Sequence, residues 1–374
     1  MRIALVHYWL VRERGGEKVL KAIHDLYPGA KIFTNVYDSK RTPSFAGADI
    51  ETTFIQKLPF ARSWYQSYLP LMPAALEALD LTDFDLVISS ESGPAKGVLA
   101  RPGSTHISYV HSPMRYIWNM YPQYVRRANP LVKAVFPFVA NYMRMWDVTS
   151  SARVDHIVAN SHNVAARVQR YWGRGSDVIH PPVDIDNYAV SRTDEGFYLY
   201  VGELVDYKRA DILVDAFAKM KRRLVVIGGG GKDAEALERR GDGAVTFLGR
   251  VDQATLSDHY ARCRALLFAA EEDFGIVPLE AMASGKPVIA FDAGGARETV
   301  VAGKTGLFFP EQTPEAVLKA VEAFEANQSR FDPAVIRAHA ETFATSVFQA
   351  KFKAYVERAL NPGGPRIQPV ASAR

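Results

Sequence analysis

The 374-residue sequence has one cysteine, no long apolar run and little charge bias, and each shortage excludes a class of protein. Because Cys263 is alone, no disulfide can form within the chain, and we expect a reducing compartment. The apolar stretch LVKAVFPFVANY is short and contains Lys133, so no segment is expected to cross a membrane. The net charge of +4, from 45 basic and 41 acidic residues, is too small to indicate a nucleic-acid partner.

No cleavable leader is expected at the start of the sequence. The first apolar run, RIALV, is soon followed by charged residues, and no small-residue cleavage site follows it. We therefore interpret it as the first strand of a fold.

Short apolar strands alternate with helical segments along the whole chain, which predicts doubly wound parallel sheets of the α/β class. In the first half the predicted strands are RIALV, KIFTNV, DLVISS, HISYVH and DHIVANS. In the second half they are FYLYVG, RLVVIG, VTFLG, ALLFAA, PVIAF and GLFFP. Ser161 is predicted to cap the helix that follows DHIVANS.

The chain is longer than one hydrophobic core usually serves, so two domains are expected. Pro181 and Pro182 cannot continue a helix and suit a linker. Ser346 and Gln349 have capping-box spacing and predict the start of a last helix. The predicted organisation is an N-terminal domain at 1–185, a C-terminal domain at 192–342, a helix at 343–360 that returns to the N-terminal domain, and a disordered tail at 361–374.

The segment EEDFGIVPLEAMASGKPVIA, which follows the strand ALLFAA, predicts an anion site at the start of a helix. Gly275 permits close approach of a ligand to the backbone, and Pro278 suits the first turn of the helix. The N–H groups of Ile276 and Val277, at the positive end of that helix, would bind the anion.

Two carboxylates flank this anion site. Glu272 leaves the end of the strand, and Glu280 is predicted on the first turn of the helix. A ligand with a sugar at each end of a diphosphate offers hydroxyl groups to both carboxylates. The alternative is that Glu271 and Glu272 are solvated surface charges and that Glu280 only complements the helix dipole.

The E-x7-E spacing from Glu272 to Glu280 resembles the donor-binding signature of glycosyltransferase family 4. Members of that family have the GT-B fold, in which two Rossmann-like doubly wound parallel-sheet domains face each other across a cleft. The resemblance implies that Glu272 contacts the donor sugar and that Glu280 contacts the nucleotide ribose. The donor-binding residues implied between them are Phe274, Gly275, Ile276 and Val277.

The segment YVGELVDYKRADILVDAF is similar to the first strand and helix of the family's C-terminal domain. The resemblance implies that Lys208 and Arg209 neutralise the donor diphosphate. Many members have Arg directly after the glycine of this segment, whereas this chain has Glu203, so the positive charge at the site depends more heavily on Lys208 and Arg209.

In the N-terminal half, RERGGEK is similar to the family's Gly-rich loop after the first strand. The resemblance implies that Gly15 and Gly16 face the diphosphate. It also implies that His111, in ISYVHSPMRYIW, lies beside the reacting centre. The alternative is that His111 is only a turn residue before Ser112 and Pro113.

The segments HSPMRYIW, VDHIVANS, HPPVD and YKRADILV resemble bacterial polysaccharide mannosyltransferases that use GDP-mannose. The resemblance implies retaining transfer of mannose to a growing polyprenyl-diphosphate-linked saccharide of an exopolysaccharide or O-antigen. The implied catalytic residues are His111, Lys208, Arg209 and Glu272. No cofactor and no metal are expected, because no D-x-D pair stands at a donor site; Asp83 to Asp85 form the polar edge of a predicted strand.

The acceptor is expected on the N-terminal domain, where two stretches mix basic and aromatic residues: FIQKLPFARSWYQSYLPLMP and YPQYVRRANPLVKAVFPFVANYMRMW. The candidate residues for acceptor or membrane contact are Arg115, Tyr116, Arg126 and Arg127. The expected location is the cytoplasm, peripherally on the inner face of the cytoplasmic membrane. Packing between helices with a solvated basic edge is the alternative for both stretches.

Three other functions remain open. A UDP-sugar-dependent glycosyltransferase of the same family and a non-catalytic nucleotide-sugar-binding protein both fit the motifs. A nicotinamide-dependent oxidoreductase is the third, because LVVIGGGGKDAEALE resembles a dinucleotide-binding turn; Gly228 and Gly230 fit that pattern, but Asp233 stands at its third glycine.

Overall fold

A computed structural model of the protein describes residues 1–230 and 234–361, except the side chains of Arg127 and Ala234. Asp233 and residues 362–374 of the predicted tail lie outside the described residues. Contacts divide the chain into two compact units. Unit 1 contains Met1–Val158, Val168–Ile179 and the chain from Gln349 on, and unit 2 contains Ala159–Arg167 and His180–Phe348.

Unit 1 is built on a parallel sheet, whose strands in the described residues are β1 (Ile3–His7), β2 (Lys31–Thr34), β3 (Ile50–Thr52), β4 (Leu86–Glu91), β5 (Thr105–Val110), β6 (His156–Ala159) and β7 (Asp177–Val178). Their order across the sheet is β3-β2-β1-β4-β5-β6-β7. In the central strand, Leu5 pairs with Ile32 on one side and with Ile88 on the other. The central strands β1, β4 and β5 are buried along nearly their whole length because helices cover both faces of a parallel sheet.

The first six helices in the described chain are α1 (Gly15–Leu26), α2 (Ala61–Trp64), α3 (Met72–Glu77), α4 (Tyr121–Arg127), α5 (Pro130–Ser151) and α6 (His162–Trp172). Helix α1 buries Val19, Leu20 and Ile23 on one face, as its periodicity predicts. The first six residues of α6 group with unit 2, and the remainder groups with unit 1. The cap predicted at Ser161 is confirmed, because its hydroxyl accepts a hydrogen bond from the Val164 N–H over 3.1 Å.

Unit 2 carries a second parallel sheet, whose strands in the described part of the chain are β8 (Phe197–Val201), β9 (Arg223–Ile227), β10 (Val245–Gly249), β11 (Leu266–Phe268), β12 (Val288–Phe291) and β13 (Gly306–Phe309). Their order is β10-β9-β8-β11-β12-β13. The order reverses between β8 and β11. Loops that leave the carboxyl ends of strands on either side of such a reversal diverge and form a crevice, which is where open α/β sheets bind ligands.

The remaining helices are α7 (Ala210–Met220), α8 (Ala234–Arg240), α9 (Gln253–Arg262), α10 (Ile276–Ala283), α11 (Ala296–Thr299), α12 (Pro314–Glu325), α13 (Pro333–Glu341) and α14 (Thr345–Leu360). Three of them begin at a side-chain cap, since Asp252, Thr313 and Asp332 each accept a hydrogen bond from a backbone N–H in the first turn. Gly285, at φ 73°, lies two residues past the end of α10, where a left-handed glycine commonly ends a helix.

The predicted α/β class and the predicted strands are confirmed, with two omissions. Strand β3 lies at the edge of its sheet and has three residues, and β7 has two. Neither contains an apolar run, so no sequence signal marks them. The interpretation of Asp83 and Asp85 as a polar edge is also confirmed, because both carboxylates accept hydrogen bonds from Arg2, over 2.6 and 2.8 Å, just before β4.

The last helix differs from its prediction in how it begins. It starts at Thr345, one residue before Ser346, and the Gln349 amide donates to the Ala22 carbonyl over 3.0 Å. Farther along α14, Phe352 is fully buried, with its ring 6.1 Å from the ring of Tyr109 on β5. Among the described residues, no helix is both long enough and apolar enough to cross a bilayer.

Replacing Phe352 with alanine should destabilise unit 1 by about 3–5 kcal/mol, because it removes a fully buried ring and leaves a cavity. Chemical denaturation followed by circular dichroism measures the change. The neighbouring exposed Lys353 provides a control, and its replacement with alanine should alter the free energy of unfolding by less than about 0.5 kcal/mol. An unchanged denaturation midpoint for Phe352→Ala would contradict this packing.

Candidate functional site

The loop between β11 and α10, residues 271–275, begins the motif singled out in the sequence and is called here the Glu272 loop. It ends at Gly275, whose φ of 86° is a left-handed conformation that glycine adopts without strain. Helix α10 then begins at Ile276, so its first N–H groups, including that of Val277, have no partner within the helix. The helix start predicted after the strand ALLFAA is therefore present.

One prediction about this helix is wrong. Because α10 begins at Ile276, two residues before Pro278, Glu280 is the fifth residue of the helix and lies in its second turn. Glu280 is also only 8% exposed, so it is not a solvated charge at the helix start. The Tyr260 hydroxyl donates to its carboxylate over 2.9 Å, and the ring of Tyr188 meets that of Tyr260 edge-on at 5.6 Å.

Lys208 meets Glu272 at the carboxyl ends of β8 and β11. Its Nζ lies 2.9 Å from Glu272 Oε1, and the two side chains are only 17% and 20% exposed. Burial alone would lower the pKa of Lys208, but the Glu272 carboxylate raises it overall. Lys208 therefore stays positively charged. Lys208 and Glu272, to which the family resemblance gives separate roles, lie in direct contact.

Arg209 has a different arrangement. It adopts a left-handed φ of 52°, and its guanidinium bonds both carboxylate oxygens of Asp211 on α7, over 3.0 and 3.2 Å. A third contact, of 3.4 Å, joins it to Gln312, which in turn donates to the Ala269 carbonyl over 2.7 Å. Its charge is therefore shared with Asp211, and of these two basic residues Lys208 is the one that pairs with Glu272.

Two glycines keep the ends of β8 and β9 free of side chains. A Cβ on Gly228, whose φ is 138°, would stand 1.8 Å from the Gly202 carbonyl oxygen, so only glycine fits there. A Cβ on Gly202 would stand 3.4 Å from Lys208 Cδ. Next to Gly202, the Glu203 carboxylate lies 3.8 Å from the Arg250 guanidinium. Arg250 was not predicted; its only sequence signal is its place directly after the strand VTFLG.

The Glu272 loop also depends on a second pair of glycines that the motif analysis did not single out. The Gly295 N–H donates to the Glu272 carbonyl over 2.9 Å. A Cβ on Gly295 would stand 2.2 Å from Phe274 Cα, and one on Gly294 would stand 2.5 Å from the Glu272 carbonyl oxygen. The loop can therefore pack this closely only against glycine, which explains the AGG sequence before α11.

In unit 1, His111 follows the end of β5 and lies beside Gly16. Its Nε2 is 2.9 Å from the Ser90 hydroxyl, and a Cβ on Gly16 would stand 3.6 Å from the same nitrogen. Dense packing around the ring, with a smaller effect of His7, lowers the pKa of His111 to about 3. The ring is therefore neutral at physiological pH.

The predicted loop at Gly15 and Gly16 is in fact the first turn of α1, which begins at Gly15. The helix begins this early because the Glu17 carboxylate accepts the Arg14 N–H over 2.9 Å. The glycines thus place N–H groups of a helix start beside His111, and the structure brings Gly16 and His111 together.

A buried ion cluster of Glu91, Lys96 and Asp147 lies next to His111, whose N–H donates to the Glu91 carbonyl over 2.7 Å. All three side chains are fully buried, and Lys96 contacts both carboxylates. The indoles of Trp118 and Trp172 each donate to Asp147 over 2.8 Å. Burial raises the pKa of Glu91 to about 7, with a further rise from Asp147 that Lys96 opposes.

The four candidates for acceptor or membrane contact are not in one environment. Tyr116 packs against the core of unit 1, and burial raises the pKa of its hydroxyl. Arg126 is exposed on α4, while Arg115 is partly buried. The side chain of Arg127 lies outside the described part of the chain. In the described residues, no three His, Cys, Asp or Glu side chains are grouped so that they could hold a metal ion.

Comparison with protein families assigns both halves of the chain. Residues 15–187 match the model of Glycosyltransferase Family 4, and residues 185–341 match that of Glycosyl transferases group 1. The two matches together run from residue 15 to residue 341. Each half of the chain therefore matches a glycosyltransferase family model, and the fold is GT-B. This confirms the fold class expected from the E-x7-E resemblance.

Individual relatives of this GT-B chain are distant. A D-inositol 3-phosphate glycosyltransferase of Geodermatophilus obscurus is 30% identical over 52% of this chain and 50% of the relative. The O-antigen chain mannosyltransferase C of Escherichia coli is 26% identical over 47% of this chain and 53% of the relative. The chain thus spans about half the length of the curated relatives it matches. Among solved structures, Anabaena HepE in complex with UDP has a TM-score of 0.72 and 17% identity over 96% of this chain and all of HepE.

The buried ion cluster generates a prediction about pH. The raised pKa means that folded Glu91 holds a proton that the unfolded chain would release. The contribution of Glu91 to the free energy of unfolding is therefore full below the ordinary pKa of 4.5 and is lost as pH rises through about 7. Glu91→Gln cannot titrate. Between pH 4.5 and pH 8, the melting temperature of the wild type should therefore fall relative to that of Glu91→Gln.

The matched control is Glu357→Gln, at an exposed position on α14. Its difference from the wild type should be the same at both pH values. A Glu91→Gln curve that stays parallel to the wild-type curve would show that Glu91 is ionised throughout this range.

Proposed function

We propose that the protein transfers a sugar from a nucleotide sugar, with GDP-mannose as the favoured donor, to a growing polyprenyl-diphosphate-linked saccharide. The observation that carries the proposal is the contact between Lys208 and Glu272 at the start of α10. It lies in the crevice where the strand order of unit 2 reverses, which is the expected ligand position in such a sheet.

The chemistry of this pair fits a nucleotide sugar better than a simple anion. A donor diphosphate offers oxygen atoms to Lys208 and to the N–H groups of Ile276 and Val277. Its sugar offers hydroxyl groups to the Glu272 carboxylate. As the glycosidic bond breaks, negative charge grows on the leaving diphosphate, and cations and N–H dipoles that are already in place stabilise it. Glu280, held by Tyr260, is then the candidate for the ribose.

The proposal includes retention of anomeric configuration and transfer without a metal. Lys208, Arg209 and the N–H groups at the start of α10 would contact the diphosphate oxygens in place of a divalent ion. His111 is neutral and hydrogen-bonded to Ser90, so its proposed role is to position a sugar or acceptor group through a hydrogen bond and not to act as a cation.

The choice of donor is supported by one relative. The E. coli relative is an O-antigen chain mannosyltransferase, which agrees with mannose and with a polysaccharide acceptor. A UDP-sugar is the second candidate, since the HepE structure of the same fold contains UDP. A non-catalytic protein that binds a nucleotide sugar without transferring it is the candidate from another class.

The proposed membrane contact rests on exposed apolar residues of α5. The α5 stripe repeats every three or four residues along one side of the helix and consists of Leu131, Val135, Phe138, Tyr142 and Met145. Phe138 is 78% exposed and Leu131 is 74% exposed, values that are unusual for large apolar side chains. From residue 121 to residue 146 the chain has Lys133 and three arginines but no acidic residue. An apolar stripe among basic residues fits an anionic bilayer surface.

The function is tested by thermal-shift screening followed by a transfer assay. GDP-mannose should raise the melting temperature more than UDP-, ADP- or other GDP-sugars, because a ligand that binds only the folded state stabilises it. Radiolabelled mannose should then pass from GDP-mannose to an extracted polyprenyl-diphosphate saccharide, with unchanged yield in EDTA. Stabilisation by the donor without any transfer would favour the non-catalytic alternative.

The variant that connects this test to the site is Lys208→Met. It removes the cation but keeps the length of the side chain, and it should weaken binding of the donor's nucleoside diphosphate by about 10- to 100-fold, as expected for a charge-assisted hydrogen bond. The control is Lys219→Met, on the exposed end of α7, which should bind as the wild type does. Equal affinity of Lys208→Met and Lys219→Met would refute the diphosphate role.

Membrane contact is tested with the double variant Leu131→Ser/Phe138→Ser. Binding to vesicles that contain phosphatidylglycerol should fall about tenfold or more, because two apolar side chains no longer enter the bilayer interface. Co-sedimentation measures the bound fraction, and Val335→Ser, at an exposed apolar position of α13, is the control. Unchanged sedimentation of the double variant would contradict the contact.

A further inference from the structure

We propose that Asn163 and Glu298 are positioning residues that hold the Glu272 loop in its binding conformation. The inference rests on the proposed function, because it concerns how the carboxylate of Glu272 is aimed at a donor sugar. Both residues group with unit 2 and lie outside the E-x7-E motif.

The first half of α6 contacts the backbone of the Glu272 loop directly. The Asn163 amide donates to the carbonyls of Glu272 and Asp273, over 3.3 and 3.4 Å. The Ser161 hydroxyl donates to the Asp273 carbonyl over 2.7 Å. Asparagine and serine at the start of α6 thus satisfy two consecutive carbonyl groups of a loop that belongs to no strand or helix.

Side chains of the loop also contact α6 and His180. Arg167, one turn further along α6, forms an ion pair with Asp273. The Phe274 ring is buried and stacks on His180 with 5.2 Å between ring centroids. Every residue from Glu272 to Phe274 therefore has a backbone or side-chain contact with 161–167 or with His180.

Glu298 bonds to His162, Asn163 and His180, which all belong to this group of contacts. Its carboxylate accepts the N–H groups of His162 and Asn163, over 2.8 and 2.9 Å, and lies 3.0 Å from His180 Nε2. Burial alone would raise the pKa of Glu298, but these partners lower it overall. A carboxylate that accepts N–H groups at a helix start is favoured by the helix dipole as well. Glu298 therefore sets where α6 begins, and with it the position of the Asn163 amide.

The arrangement also explains the position of Glu298 in the sequence. It follows Gly294 and Gly295 by a few residues, and those glycines also pack against the Glu272 loop. The loop thus contacts both the glycines and the start of α6, and Glu298 links these two segments. A small displacement of a group that contacts a substrate can cost about 100-fold in rate, so such confinement matters for function.

A double-mutant cycle separates positioning from general stabilisation. Asn163→Ala should raise the Kd of GDP-mannose about tenfold and change the Kd of GDP by less than about twofold, because the loop aims Glu272 at the sugar. In the Glu272→Ala background, Asn163→Ala should have no further effect on GDP-mannose. Calorimetry supplies both constants, with UDP-glucose and UDP as the pair if the screen selects UDP.

The matched control is Asn327→Ala, at an asparagine two residues past the end of α12 that donates to the Ala323 carbonyl of that helix and is far from the loop in sequence. It should leave both constants unchanged. If Asn163→Ala does not fold, Glu298→Gln serves in its place, because the amide keeps the size of the side chain and one acceptor oxygen. Its effect should have the same sign and should also vanish in the Glu272→Ala background.

Three results would overturn the inference. One is an equal Kd for GDP-mannose in Asn163→Ala and the wild type. Another is the same loss with and without Glu272, which would show that Asn163 acts independently of the carboxylate. Failure of the wild type to bind any nucleotide sugar is distinguishable from both, and it would refute the proposed function together with this inference.

Discussion

The contact between Lys208 and Glu272 is the interaction on which the proposed site depends, and the fold of unit 2 creates it. The two residues are 64 positions apart in sequence and leave strands β8 and β11, which become neighbours only because the strand order reverses. Neither charge would be stable alone at this degree of burial, since an unpaired buried charge is strongly unfavourable. Each therefore fixes the other where a ligand with both phosphate and hydroxyl groups would meet them.

Glycine makes this contact geometrically possible. Gly202 and Gly228 keep the floor of the site free of side chains, and Gly294 and Gly295 let the Glu272 loop pack against α11. The requirement is strict at Gly228, Gly294 and Gly295, where an added Cβ would stand within 2.5 Å of backbone atoms. Because these glycines carry no side chains, the charged residues of the site can come close enough to contact one another.

Much of the fold could be predicted from the sequence because its signals are local. Apolar runs such as RIALV and FYLYVG predict buried parallel strands, and the E-x7-E motif marks the Glu272 loop. The second-turn position of Glu280 could not be predicted, since it depends on the φ of Gly275 and not on the preference of Pro278 for a first turn. Asn163 and Glu298 were missed for a different reason: each looks like an ordinary helix-start residue until the fold brings them to the loop.

The charges around Lys208 bear on what the site can bind under the proposed function. Lys208, Arg209 and Arg250 face the carboxylates of Glu272, Asp211 and Glu203 in pairs, so these named side chains have no net charge. A free phosphate could bind Lys208 only by separating it from Glu272, which would leave that carboxylate without a cation. A nucleotide sugar offers a phosphate to Lys208 and hydroxyl groups to Glu272 together, so both partners stay satisfied. Selectivity for a ligand with both groups then follows from the cost of an unpaired charge, without requiring a strongly positive surface.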